Sequence, residues 1–135
     1  RSYDVRPPLL NAGDDRNPAR LAAYRGVPAD ELPLGESLQD TIARVVPYFD
    51  KVIKPEILSG KRVLIAAHGN SLRALVKTFD KLSDEEISKV NIPTGIPLVY
   101  TFAPDFTVTH KEYLGKASAI AAKMNQVANQ GKAKA

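Results

Sequence analysis

Arg62-Val63-Leu64-Ile65-Ala66-Ala67-His68-Gly69-Asn70-Ser71-Leu72-Arg73 is the stretch on which the fold reading turns. A run from Val63, almost wholly apolar, stops abruptly at His68, and Gly69-Asn70 turns the chain. Ser71-Leu72-Arg73-Ala74-Leu75-Val76-Lys77 then has helical character, and the helix is expected to run to about Lys81. A short apolar run, a glycine turn and a helix start predict a buried parallel strand that delivers a polar group to the carboxyl edge of a sheet. Ligands of open α/β sheets bind at that edge. The free N–H groups at the start of the next helix favour an anion.

Upstream of this stretch, residues 6–36 hold five prolines (Pro7, Pro8, Pro18, Pro28, Pro33) and three glycines, which predicts a long surface loop or lid. Ser37-Leu38-Gln39-Asp40 has the form of a capping box, with Asp40 in the position usually held by Glu or Gln. Leu38, Ile42, Val45/Val46, Phe49 and Val52/Ile53 recur at helical spacing, so an amphipathic helix of about four turns follows. Pro47 should bend it and Pro55 should end or kink it.

Downstream, Ser83-Asp84-Glu85-Glu86 is a second capping box heading a short helix to about Val90. Residues 91–97 form a turn-rich connector with Pro93, Gly95 and Pro97. Leu98–Phe102 and residues 107–113 read as two strands of a hairpin turning at Pro104-Asp105. From Gly115 on, Ala, Lys and Gln dominate, so residues 115–135 are expected as a flexible tail with a partly ordered helix.

At 135 residues the chain is one domain's worth of polypeptide, with 44% apolar and 25% charged residues, ordinary for a globular protein. It contains no apolar run of membrane-spanning length and no signal-peptide pattern, so no membrane partner is expected. With no cysteine, thiolate metal sites are excluded and the compartment leans to the cytosol. Two histidines, His68 and His110, are too few for a metal site. The net charge of +4 does not point to nucleic acid. Lys116, Lys123, Lys132 and Lys134 follow Leu114 without any acid, which leaves fifteen basic and fifteen acidic residues before them. No arginine stripe with interleaved aromatics is present.

Taken alone, His68 is a half-buried histidine that ends a strand. Its place ahead of Gly69-Asn70 at a helix start suits it for anion chemistry, where an imidazolium donates a hydrogen bond to a phosphoryl oxygen. His110 reads as a surface residue of an edge strand, Arg73 as part of a solvated or salt-bridged face, and Glu36 as a charge favoured by the helix dipole. The opening Arg1-Ser2-Tyr3-Asp4, with no initiator methionine, reads as the middle of a longer protein.

Ala66-Ala67-His68-Gly69-Asn70-Ser71-Leu72-Arg73-Ala74-Leu75-Val76-Lys77 resembles the second-histidine segment of the cofactor-dependent phosphoglycerate mutases. Asn91-Ile92-Pro93-Thr94-Gly95-Ile96-Pro97-Leu98-Val99-Tyr100 resembles the segment that follows it. Arg1-Ser2-Tyr3-Asp4-Val5 and Glu36-Ser37-Leu38 match further signatures, so the resemblance covers roughly residues 1–114. It implies an α/β, three-layer α/β/α fold with a mostly parallel sheet, of which this chain is the C-terminal part. It also implies interconversion of 3-phosphoglycerate and 2-phosphoglycerate through a phosphohistidine, primed by 2,3-bisphosphoglycerate and without metal.

In that resemblance His68 matches the histidine that stabilises the transferred phosphoryl group. Gly69 and Asn70 match substrate-binding positions, and Arg1 matches the second of two arginines that hold the substrate's anionic groups. The partners implied are a small phosphorylated acid, the missing N-terminal half, and a second copy in a homo-oligomer, dimer or tetramer. The family's nucleophile lies in an Arg-His-Gly motif, and this chain has none. By itself the chain is therefore expected not to turn over. Three alternatives stay open at this level: a phosphatase or bisphosphoglycerate synthase of the same superfamily, a non-catalytic phosphoglycerate-binding module, and a structural subunit that pairs with another chain carrying the missing half.

Overall fold

A computed structural model describes residues 2–130. Two capping boxes punctuate the chain where the sequence places them. Ser37 Oγ accepts from the Asp40 N–H at 3.1 Å while Asp40 Oδ2 accepts from the Ser37 N–H at 2.9 Å, so two orphan donors are satisfied reciprocally. This box opens α1 (Leu38–Tyr48). Ser83 and Glu86 do the same for α4 (Asp84–Lys89).

The helix expected through residue 53 is continuous but changes pitch. After α1 comes a π turn, Phe49–Ile53, and then α2 (Lys54–Leu58). Pro47 lies inside α1 and is absorbed there. Pro55 has no N–H to give and its ring crowds the carbonyl four residues back. The wide turn, closed by the Lys54 N–H on the Phe49 carbonyl, takes up that mismatch.

Residues 6–36 form the expected long surface loop, built as a series of short 3₁₀ turns (Pro18–Arg20, Ala22–Tyr24, Ala29–Glu31). Its ends meet through the Leu10 N–H on the Leu34 carbonyl at 3.1 Å. Asn17, buried at 5% exposure, holds the interior by donating to the Asn11 carbonyl and accepting from the Ala19 N–H. Two arginine forks fasten the loop and its exit to α1. Arg6 grips Asp40 with two contacts of 2.6 Å, and Arg44 grips Glu36 with two of 2.9 Å. Glu36 thus acts as an ion-pair partner rather than only as a dipole charge.

α3 (Gly69–Asp80) packs along α1, presenting Ala74, Leu75 and Val76 to the interior. Leu38, Val76 and Ile87 form the buried centre, ringed by residues that include Tyr3, Ile42, Val90 and Leu98. The hairpin is as expected: β1 (Leu98–Phe102) and β2 (Val108–Tyr113) pair antiparallel, with an irregularity between Thr101 and Phe102. Its turn puts Phe106 at φ 67°, a left-handed conformation that costs a non-glycine residue about 1–2 kcal/mol. Packing compensates, since Phe106 stacks on Phe102 at 4.1 Å, lies 5.8 Å from Phe49 and carries the Lys54 ammonium 4.7 Å above its ring. Phe79 meets Phe49, Tyr100 and Phe102 edge-on, each at 5.1 Å, so one aromatic cluster joins α3, the π turn and the hairpin.

Beyond the hairpin, α5 (Ala117–Ala128) is a formed helix within the segment expected as a flexible tail. Ile120, Met124 and Val127, at helical spacing, are its half-buried positions. The last part of the expected tail, residues 131–135, lies outside the described residues. No described helix is long and apolar enough to cross a membrane.

The strand expected at Val63–His68 is the chief difference. Residues 61–68 are neither helix nor strand and pair with no strand, and the hairpin is the only sheet among the described residues. Burial differs too: Leu64 is 89% exposed and Val63 41%. The reason is elementary. A buried strand needs neighbours to satisfy its backbone groups and cover both faces, and the described residues offer none beside this segment. The parallel, three-layer sheet is accordingly not formed among the described residues.

Candidate functional site

The turn after the extended segment is built as the sequence predicts, with the helix starting two residues earlier. His68 is the N-cap of α3, in extended backbone conformation (φ −61°, ψ 147°), and its Nδ1 accepts from the Asn70 N–H at 3.2 Å. An imidazole nitrogen that accepts bears no hydrogen, so the ring's N–H is on Nε2. The expected half-buried histidine is in fact exposed. Its free edge stands beside the first turn of a 12-residue helix, where the peptide dipoles add partial positive charge.

Gly69 and Asn70 open that first turn, Gly69 exposed and Asn70 half-buried. Of the expected site residues, His68, Gly69 and Asn70 are thus brought together at one helix N-terminus. Arg1, the fourth, lies outside the described residues. The segment that leads from it is anchored nonetheless: the Tyr3 carbonyl accepts from the Gln39 N–H at 3.0 Å, and the Lys77 ammonium sits 5.1 Å from the Tyr3 ring centre.

Arg73 departs from its expected place on a solvated face. It is 7% exposed, and its guanidinium lies under the first turn of α3. Nη1 donates to Asn70 Oδ1 at 3.4 Å and Nη2 to the Ile87 carbonyl at 2.5 Å. The sequence does contain the signal, because Asn70 and Arg73 are three apart and so share one helix face. His110 is exposed on β2, 3.3 Å from Glu112, as a surface residue should be.

A groove of about 350 Å³ opens beside this site, between Val45, Tyr48, Phe49 and Ile53 on one side and Ile65, Ala67 and Leu75 on the other. Its charged or hydroxyl-bearing lining residues are Arg44, Ser71 and Tyr48, and Arg44 is already paired with Glu36, so the groove offers an anion little to bind. The donors are gathered instead at His68, Gly69 and Asn70.

Residues 11–111 match the family model of the histidine phosphatase superfamily (branch 1). The chain belongs to the histidine phosphatase superfamily. Among curated relatives, this chain is 63% identical over 134 residues to the 2,3-bisphosphoglycerate-dependent phosphoglycerate mutase of Treponema denticola. It is 56% identical over 132 residues to the protein of the same name from Lachnoclostridium phytofermentans, and 55% identical over 136 to that of Treponema pallidum. These alignments take in 98–99% of this chain but only 53–54% of each relative. The chain therefore spans about half the length of the curated relatives it matches. The superfamily resemblance carried by Ala66–Lys77 and Asn91–Tyr100 is borne out.

Proposed function

We propose that the protein containing this chain interconverts 3-phosphoglycerate and 2-phosphoglycerate by phosphoryl transfer through a histidine, and that 2,3-bisphosphoglycerate primes it. In this reading the chain contributes the charge-stabilising side of the site, and the nucleophilic histidine belongs to sequence outside it. The observation that carries the reading is the N-terminus of α3. There His68 caps the helix through Nδ1 and keeps its Nε2–H available, directly ahead of Gly69 and Asn70.

Phosphoryl transfer asks the protein mainly for positioning and for donors around three equatorial oxygens. His68 Nε2–H, first-turn N–H groups and the Asn70 amide are such donors, and none of residues 68–71 brings a carboxylate. That donor set fits a phosphoryl group of 2,3-bisphosphoglycerate as well as one of the monophosphates. When bound, the bisphosphate supplies the phosphoryl group that loads the enzyme. His68, Gly69 and Asn70 hold the anion, and Arg1, one covalent step ahead of the anchored Ser2-Tyr3 segment, adds a further charge. Nothing in this chain replaces the attacking histidine, since Arg-His-Gly does not occur in it and His110 is remote in role, engaged with Glu112 on β2.

The architecture proposed for the whole protein follows from Val63–Ala67. Its apolar residues, all but the half-buried Ile65 exposed, suit a central strand whose neighbours come from the remaining length of the protein, giving the parallel three-layer sheet. The body of the domain then ends near residue 114, and the segment after it is an appended tail headed by α5. A homo-oligomeric, cytoplasmic enzyme accompanies this reading.

The test is a mutase assay on the full-length gene product. Conversion of 3-phosphoglycerate to 2-phosphoglycerate, stimulated by 2,3-bisphosphoglycerate, is the expected result. Release of inorganic phosphate without isomerisation would overturn it.

A further inference from the structure

We infer that Arg73 is a positioning residue for substrate binding: it fixes the amide of Asn70 so that the nitrogen, not the oxygen, faces the anion at the start of α3. The inference rests on the function proposed above and assigns the orientation of one of its binding groups.

Asn is ambiguous as a ligand residue. Its amide presents an acceptor on one side and a donor on the other, and a rotation of χ2 exchanges them. Facing a phosphate or a carboxylate, only the nitrogen end helps; the oxygen end repels. A free Asn70 would spend part of its time wrongly turned. Arg73 removes that freedom because a guanidinium has donors and no acceptor, so only Oδ1 is tolerated beside it. Nη1 meets that oxygen at 3.4 Å. The amide nitrogen is then the end turned away from Arg73.

The guanidinium is itself held. Arg73 is 7% exposed, and Nη2 donates to the Ile87 carbonyl at 2.5 Å, near the C-terminal end of α4, where the helix dipole favours a cation. One planar fork thus spans from α4 to the first turn of α3, and burial keeps it from serving as a direct ligand. A lysine has a single ammonium point and cannot span both acceptors in the same way.

The experiment uses the full-length gene product and four substitutions: Asn70→Ala, Asn70→Asp, Arg73→Met and the double variant Asn70→Ala/Arg73→Met. KM and kcat for 3-phosphoglycerate, the Kd for inorganic phosphate by calorimetry, and the melting temperature are measured for each. Loss of one charge-type hydrogen bond predicts that KM and Kd rise about tenfold in Asn70→Ala and in Arg73→Met, and that kcat/KM falls by at least as much in both. The double variant should bind no more weakly than Asn70→Ala alone, because Arg73 acts through Asn70. Asn70→Asp keeps the acceptor for Arg73 and loses the donor, so it should weaken binding without lowering the melting temperature. A purely structural arginine would lower the melting temperature and leave KM and Kd unchanged.

Unchanged KM and Kd in Arg73→Met, or losses that multiply in the double variant, overturn the inference. If Arg73→Met does not fold, Arg73→Lys takes its place in the same cycle, with the same two outcomes. A full-length protein that binds phosphate but does not isomerise 3-phosphoglycerate defeats the functional reading alone, and the cycle is then decided on Kd. One that neither isomerises nor binds phosphate overturns both.

Discussion

His68 does two things at once, and both were open to inspection in twelve letters of sequence. It ends an apolar run and it precedes Gly69-Asn70, so a helix N-terminus had to follow. What the letters did not contain is that His68 itself is the cap, with Nδ1 spent on the Asn70 N–H. That bond occupies Nδ1, and Nε2 is the nitrogen on which the proposed function draws. Replacing His68 by Ala in the full-length protein removes that donor and a cap together; kcat should fall by about two to four orders of magnitude. A kcat within about threefold of the unmodified enzyme would end the role given to it. The burial of Arg73 was not legible, because an arginine in the second turn of a helix is usually wet; the Asn70 amide oxygen and the Ile87 carbonyl, brought over by α4, help make burial tolerable. Asp40 shows a further effect at this scale. The Arg6 fork, followed by the Ser37 N–H and hydroxyl, holds its carboxyl well below the usual carboxylate range. Arg16 holds Asp14 down to about 2, and Ser83 lowers Glu86. A carboxylate depressed in the folded state stabilises it above the unfolded pKa, near pH 4, and that contribution disappears as pH falls. Thermal unfolding followed from pH 7 to pH 2 should therefore show a melting temperature that is steady above about pH 5 and drops below about pH 4. Asp40→Asn should melt lower at neutral pH and lose less on acidification; an acid limb as steep as that of the unmodified protein would contradict this.

At the level of elements, the pieces with local signals were readable and the pieces that depend on neighbours were not. Both capping boxes, α4, and the hairpin turning at Pro104-Asp105 follow from short-range chemistry, and they form where the sequence puts them. The π turn was beyond reach, since two prolines predict a disturbed helix but not how the backbone distributes the disturbance. Residues 63–67 are the instructive case. Their apolar run predicts a buried strand, yet a strand is a property of a pair, and no partner is present among the described residues. Leu64 is 89% exposed, and the proposed completion of the sheet would cover it. In the full-length protein Leu64→Ala should cost about 2–5 kcal/mol, the range for emptying a buried leucine site. Urea denaturation measures it. A cost below about 0.5 kcal/mol, the scale of an exposed position, would mean that the segment is not a central strand.

For the whole molecule, the central claim is a division of labour: this chain, about half the length of its relatives, holds the phosphoryl oxygens, and a histidine outside it takes the phosphoryl group. The superfamily was legible because Ala66–Lys77 and Asn91–Tyr100 are long, specific strings whose spacing the fold realises, one at the head of α3 and the other leading into β1. The parallel sheet was not legible in the same way, for no strand beside residues 63–67 is present among the described residues. One measurement bears on the claim most directly. The full-length gene product is incubated with 2,3-bisphosphoglycerate carrying a labelled phosphoryl group and quenched in alkali, and the acid-labile label is located by peptide mapping. The account predicts label on a histidine outside the 135 residues, with His68 and His110 unlabelled. Label on His68 or His110 would contradict it, because the residue assigned to stabilise the transferred group, or one placed on the surface of the hairpin, would then be the one attacking phosphorus.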